Sequence, residues 1–304
     1  MTCPFLQEAQ VKYCRTATVR KLIPLAQSGH SDEKCISSQH ASCKVFQSQS
    51  SPEAGGPDGI CPYLRESLMQ YCSAAPVAKL VPYSESLLSR CGNDSYRYCE
   101  LYLAMAQAST PVEEVDGFVL PSHLRYTANH MWLDVGEDNV CHIGIDSYLS
   151  RVLGPVERLT YVQSKGRHRP AAVLTVAGVD LEVVFPNPIQ LTACNLYLRA
   201  HPSRITSQPY TAGWLFEGAL LPETLDNLMD GAAAGQRIEQ EERRMTEFLQ
   251  EAQPGQPRTM ADGGLFTDGL AHHIERDRLL VLFHEFFSPY ASGVGQAMPP
   301  AANV

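Results

Sequence analysis

The chain has 304 residues, 44% of them hydrophobic and 19% charged, with a formal net charge of -9. That length suggests two domains, or one domain with long extensions, and the composition is that of a globular protein, not a disordered or fibrous one. No apolar run approaches the roughly 20 residues of a membrane-crossing helix, and Met1 to Leu6 carries no leader pattern.

The charge is uneven. Residues 1–110 hold ten Lys/Arg and nine Asp/Glu, which leaves 14 and 24 for the rest (24 minus 10, 33 minus 9). No basic stripe offers nucleic acid a grip. A cytoplasmic protein with protein partners, no nucleic acid and no membrane span is expected.

Eight of the ten cysteines fall in the first 99 residues, and they repeat. Cys3-Pro4-Phe5-Leu6 matches Cys61-Pro62-Tyr63-Leu64, and Tyr13-Cys14 matches Tyr71-Cys72. Lys21-Leu22-Ile23-Pro24 matches Lys79-Leu80-Val81-Pro82. Two residues fewer in the second copy bring Cys35 onto Cys91 and Cys43 onto Cys99. Such duplication sets the architecture: a module over residues 1–46, a Ser/Gly/Pro-rich connection from Gln47 to Gly59, and a second module over 60–108. Leu64, Leu68, Met69 and Tyr71-Cys72 fall on one helical face, as do Leu87, Leu88 and Cys91, then Cys99, Leu101 and Leu103. Two helical modules are expected.

A module of about 45 residues is small for a free-standing core and calls for a staple. Disulfides fit the even count but not a reducing cytosol. Zinc suits four thiolates, although no short C-x2-4-C knuckle occurs. An iron–sulfur cluster tolerates longer spacing, and Cys-Pro often neighbours its ligands. Buried thiols with no ligand are the remaining reading. The expected ligands are Cys3, Cys14, Cys35, Cys43, Cys61, Cys72, Cys91 and Cys99, holding an iron–sulfur cluster or, alternatively, zinc, within one copy or shared between copies. His30 and His40 lack histidine counterparts and are expected to be surface residues.

Beyond a linker near Ser109 the chain changes character. Short apolar pieces alternate with polar turns, and Gly136-Glu137-Asp138-Asn139 reads as a hairpin turn. Four blocks stand out: Tyr126-Thr127-Ala128-Asn129-His130-Met131-Trp132, Ile143-Gly144-Ile145-Asp146-Ser147-Tyr148, Leu153-Gly154-Pro155-Val156, and Pro209-Tyr210-Thr211-Ala212-Gly213-Trp214-Leu215-Phe216. In that order and spacing they resemble the H protein of the glycine cleavage system. The resemblance implies an all-β barrel-sandwich domain over 118–220, with a short helix opened by Asp146. It also implies a hairpin over Leu174 to Leu181 whose tip, near Gly178, would carry lipoate on a lysine. This chain has no lysine after Lys165, so no lipoate is expected. Lys165 falls in a loop before that hairpin. His130, Cys141 and Cys194 read as packing residues.

From 221 to 290 the pattern is helical. Leu225, Leu228, Met229, Ile238, Met245, Phe248 and Leu249 form one face, and Glu239, Glu241, Glu242, Arg243 and Arg244 the wet one. Gly231 and Gly235 are expected to break this stretch in two. After a linker over 253–264, Leu279, Leu282, Phe283, Phe286 and Phe287 share a helical face that either folds back or binds another chain. His272, His273, His284 and Glu285 lack a metal-ligand spacing, and Pro289 to Val304 is expected to be disordered.

The fold class is therefore α+β: a helical, cysteine-rich tandem repeat, an all-β lipoyl-type centre, and a helical C-terminal extension. No Ser/His/Asp set, phosphate-binding loop or acid pair suggests catalysis. The expected function is a non-lipoylated adaptor with two four-cysteine metal sites, in regulation, redox sensing or scaffolding. The alternative is an iron–sulfur electron-transfer subunit of a larger redox enzyme.

Overall fold

The computed structural model describes residues 2–17, 22–24, 34–49, 59–76, 79–81, 90–105, 114–115, 117–136, 139–251 and 268–289. His30, Leu87, Leu88, and the expected linkers and tail at 50–58, 253–264 and 290–304 lie outside them. The chain forms two compact units, Met1–Tyr96 and Arg97–Val304.

In the first unit the repeats are stranded where helix was expected. Strands β1 (Leu6–Cys14), β2 (Leu22–Pro24), β3 (Leu64–Cys72) and β4 (Lys79–Val81) form one antiparallel sheet in the order β2-β1-β3-β4. β1 pairs with β3 along its whole length, from Leu6 opposite Cys72 to Cys14 opposite Leu64. The midpoint pairs Gln10 with Leu68, which are equivalent positions of the two copies. The repeats thus meet about an approximate twofold axis. Leu64, Leu68 and Tyr71 keep a helical spacing, and in the strand Tyr71 turns to the face opposite the two leucines; the partner strand supplied by the other copy overrides the local pattern. The region after the third cysteine is helical: 3-10 turns at Lys34–Ile36 and Ser38–Ser42 precede α1 (Lys44–Gln47).

The second unit begins with α2 (Glu100–Met105), the sequence counterpart of α1, and the ribbon β5 (Glu114–Val115) and β6 (Phe118–Val119). Its body is two open sheets. The larger runs β11-β14-β15-β9-β8-β7, built from β7 (Arg125–Tyr126), β8 (Met131–Val135), β9 (Val140–Ile145), β11 (Gly166–His168), β14 (Ile189–Cys194) and β15 (Phe216–Ala219). The smaller runs β10-β12-β13, from β10 (Arg158–Tyr161), β12 (Ala171–Val176) and β13 (Val179–Val184). The end strands of each sheet do not pair, so the expected barrel is not closed. Trp132, Trp214, Phe185, Phe216, Leu174 and Leu181 fill the core. The turn between β8 and β9 lies where the sequence placed it, with Gly136 N–H donating to Val140 O at 2.8 Å.

Helices α3 (Ser147–Leu153), α4 (Arg204–Ser207), α5 (Gly231–Glu251) and α6 (Arg276–Phe287) complete the unit. Gly235 sits inside α5 and does not break it. The glycine cost of about 1 kcal/mol is small beside the burial of Ala234, Ile238 and Met245 on the same face. Glu241, expected on the wet face, is buried and held by Arg237 and Arg244, each at 3.0 Å.

α6 folds back on its own unit. Leu279, Leu282, Phe283, Phe286 and Phe287 are all buried, and Arg278 Nη2 donates to Phe248 O at 2.8 Å. The five therefore offer no exposed patch to another chain. Replacing Phe287 by Ala should cost about 3–5 kcal/mol of stability, as for other buried phenylalanines. Urea unfolding of the full chain measures this; a midpoint within error of the parent would mean that α6 does not dock.

Candidate functional site

The first block builds a turn. Thr127 N–H donates to Met131 O at 2.8 Å, and Thr127 Oγ1 accepts from Met131 N–H at 3.0 Å. Inside that loop His130 takes φ 62°, the left-handed region that few side chains adopt. Asn129 Nδ2 donates to Val184 O at 2.9 Å and lies 3.4 Å from Phe287 O, so the turn touches both β13 and α6.

The second block completes it. Asp146 Oδ1 accepts from Leu149 N–H at 2.9 Å and caps α3, as its sequence suggested. Asp146 Oδ2 stands 2.9 Å from His130 Nδ1, and the His130 ring stacks on Tyr148 at 4.6 Å and meets the edge of Phe287 at 5.5 Å. His130 Nε2 is buried with no hydrogen-bond partner among the described residues. His130 is thus buried among packing side chains.

The fourth block is equally structural. Tyr210 Oη donates to Val119 O at 2.6 Å and accepts from Ser147 N–H at 2.8 Å. Gly213 passes so close to α4 that an added Cβ would stand 2.6 Å from Arg204 O. Asn195 Nδ2 donates to Ala212 O and Trp214 O at 3.0 and 2.9 Å, and the Trp132 indole donates to Pro209 O at 3.2 Å. Pro209, Tyr210, Ser147 and Arg151 edge a surface groove of about 450 Å³. A second aromatic cluster joins the sheet: Tyr98 stacks on His142 at 4.0 Å and donates to Asp134 at 2.6 Å. Burial, then the Asp134 charge, pushes its phenol well above the ordinary range.

These blocks position a hairpin. β12 and β13 pair from Ala171 opposite Val184 to Val176 opposite Val179, leaving a two-residue turn at Ala177 and Gly178. Their φ values, 49° and 70°, match the tight turn that suits strand twist. Both residues are exposed, and the space around the Gly178 Cα is open. The tip carries no amine. Lys165 lies elsewhere, between β10 and β11.

In the cysteine repeats and beyond them, all ten thiols of the chain are outside disulfides. Cys61 N–H donates to Cys35 O at 2.9 Å and Cys3 N–H to Cys91 O at 2.8 Å. Burial raises the Cys61 thiol above its ordinary value, and the charges of Cys14 and Cys43 add to the shift. His40, expected at the surface, is buried, with Nδ1 3.0 Å from Gly59 O. Cys99 falls in the second unit. Among the described residues no group of three or more His, Cys, Asp or Glu is arranged to hold a metal ion, and no helix is long and apolar enough to cross a membrane.

The same part of the chain is similar to a known family. The family profile described as Glycine cleavage H-protein matches residues 124–241. A glycine cleavage system H protein of Nocardia farcinica (strain IFM 10152) is 35% identical over 126 residues, 38% of this chain and 92% of its own. One of Sodalis glossinidius (strain morsitans) is 30% identical over 129 residues, 40% of this chain and 97% of its own. A crystal structure of a glycine cleavage system H protein (GCVH) from Mycobacterium marinum aligns with TM-score 0.35 and 21% identity, covering 40% of this chain and 98% of that one. The chain belongs to the glycine cleavage H-protein family, through this part of its length.

Two features of the domain can be tested directly. Asp146→Ala removes a helix cap, typically about 1 kcal/mol, and strands a buried imidazole, about 1–3 kcal/mol more. A loss no larger than a cap alone in denaturant unfolding would show that the His130 contact contributes nothing. Burial also pushes the Cys141 thiol up to about 12 from its ordinary 9.0. Above 9 the unfolded chain releases this proton and the folded one does not, so stability falls as pH rises through that window. Iodoacetamide at neutral pH should leave Cys141 unmodified in the native protein and label it in denaturant; equal labelling in both states would contradict the burial.

Proposed function

We propose that this chain is an H-protein scaffold working without the carrier arm. It is an adaptor, not an enzyme, whose H-like domain docks protein partners while the N-terminal cysteines bind a metal in a regulatory, redox-sensing or scaffolding role in the cytoplasm. The observation that carries this reading is the hairpin β12–β13. It is folded and exposed at its tip, yet the tip is Ala177-Gly178, and lipoate attachment needs a lysine amine.

The Pro209 to Phe216 block does not by itself argue for docking, because folding requires it. An exposed apolar pair supplies better support. Val162 and Leu196 are 52% and 61% exposed, and they flank the bond from Tyr161 Oη to Asn195 O at 2.8 Å. Scattered single apolar residues are ordinary on a surface; we assign these two, each next in sequence to a partner of that bond, to the surface a partner would cover.

Co-expression with a lipoate ligase should leave the intact mass unchanged, and a lipoyl-sized gain mapped to Lys165 would defeat the armless reading. The docking part is tested separately. Added in excess, the chain should compete with a lipoylated H protein for the enzymes that act on its arm, and Val162→Asp with Leu196→Asp should relieve the competition. Unaffected turnover in the presence of the parent chain would overturn it.

A further inference from the structure

One metal site per cysteine repeat is the simplest arrangement of two four-cysteine modules, and strand length excludes it. β1 runs extended from Leu6 to Cys14, eight steps of about 3.3 Å, so its ends are about 26 Å apart. Two thiolates on one ion stand only about 4 Å apart, given metal–sulfur bonds near 2.3 Å. Cys14 ends β1, while Cys3 lies by its start, where Leu6 N–H donates to Cys3 O at 3.0 Å. The two cannot share an ion. Cys61 and Cys72 are separated in the same way by β3.

Antiparallel pairing brings the missing ligand from the other copy. Cys14 lies opposite Leu64, and Leu64 N–H donates to Cys61 O at 3.0 Å. Arg15 N–H donates to Tyr63 O at 3.1 Å, which holds the Cys14 end of β1 on the Cys61 loop. Cys35 is bonded to Cys61 through the backbone at 2.9 Å. Cys43 arrives with it: its N–H donates to His40 O at 2.9 Å, and the His40 ring binds Gly59 O. The Phe46 ring meets Tyr63 at 5.8 Å, on the far side of Cys43 from His40 in the sequence.

We propose that Cys14, Cys35 and Cys43 of the first repeat and Cys61 of the second form one four-thiolate site for a thiophilic metal, zinc or iron. The proposal rests on the metal-binding part of the proposed function and specifies its ligands. The twofold axis repeats the exchange: Cys3 N–H donates to Cys91 O at 2.8 Å, Leu6 lies opposite Cys72, and Ser73 N–H donates to Phe5 O at 2.9 Å. The thiols have other neighbours as they stand, with Cys14 Sγ 3.4 Å from Thr16 Oγ1. Among the described residues no three ligands are yet arranged for an ion, so metal binding requires the four side chains to converge with the strand register kept, each thiol releasing its proton on binding.

The experiment counts metal per chain in the full-length protein, purified anaerobically, for the parent, Cys14→Ser, Cys61→Ser, Cys72→Ser and two double variants. Circular dichroism of each variant keeps loss of a ligand distinct from loss of the fold. Cys14→Ser with Cys61→Ser should lose no more metal than either single change, because both strike one site. Cys61→Ser with Cys72→Ser should lose more than either alone, because they strike opposite ends of β3. The reverse pattern would overturn the shared site and leave metal binding intact. A parent chain with no thiolate-to-metal absorption and no bound zinc or iron would overturn metal binding itself.

Discussion

The second unit turns on a single carboxylate. Asp146 caps α3 with one oxygen and holds the His130 ring with the other, while Ser150 Oγ donates to its carbonyl at 2.7 Å. Around that pair Tyr148 and Phe287 pack. Residues from the turn before β8, the helix after β9 and the far end of α6 therefore meet at one buried contact. A left-handed backbone at a non-glycine residue is tolerated only where its surroundings over-determine it, and here they do. Remove the carboxylate and the turn, the helix start and the seat of α6 lose the same support.

The first unit is solved differently. A module of about 45 residues buries too little apolar surface to stand alone, and its copies do not pack as two finished bodies. Each lends a nine-residue strand to the other, as in an isologous contact where residue i meets j and j meets i. Cys3, Cys61, Cys72, Tyr63, Val11 and Val81 are among the buried residues this yields, a thin core whose central sheet depends on both copies.

Local signals were legible where the physics is local. The Gly136–Asn139 turn and the helix after Cys99 are read directly from side chains and spacing, and the helix opened by Asp146 and the hairpin ending near Gly178 from the resemblance to the H protein. Signals that depend on a distant partner were not. Leu64 to Cys72 became a strand because β1 lies beside it. Glu241 is buried because Arg237 and Arg244 flank it, although charge alone marks it as wet. Whether α6 would dock inside or outside could not be read from five apolar residues on one face, since either outcome buries them. The His130–Asp146 pair spans 16 residues, and no periodicity points to it.

The hairpin tip sharpens the question of function. Gly178 has φ 70°, where a side chain costs about 1–2 kcal/mol. Ala177, at φ 49°, already bears that cost and is exposed. A lysine at 177 would therefore add no new backbone penalty and meet no crowded neighbour. Below the turn the hairpin is stiffened by its own groups: Thr175 Oγ1 donates to Asp180 Oδ1 at 2.6 Å, and Val176 and Val179 are buried. Nothing in the fold forbids an amine at the tip, so its absence is a choice of residue and not a demand of structure. An amine at the tip is compatible with the fold, and the proposed adaptor role rests on the residues that stand there instead, Ala177 and Gly178.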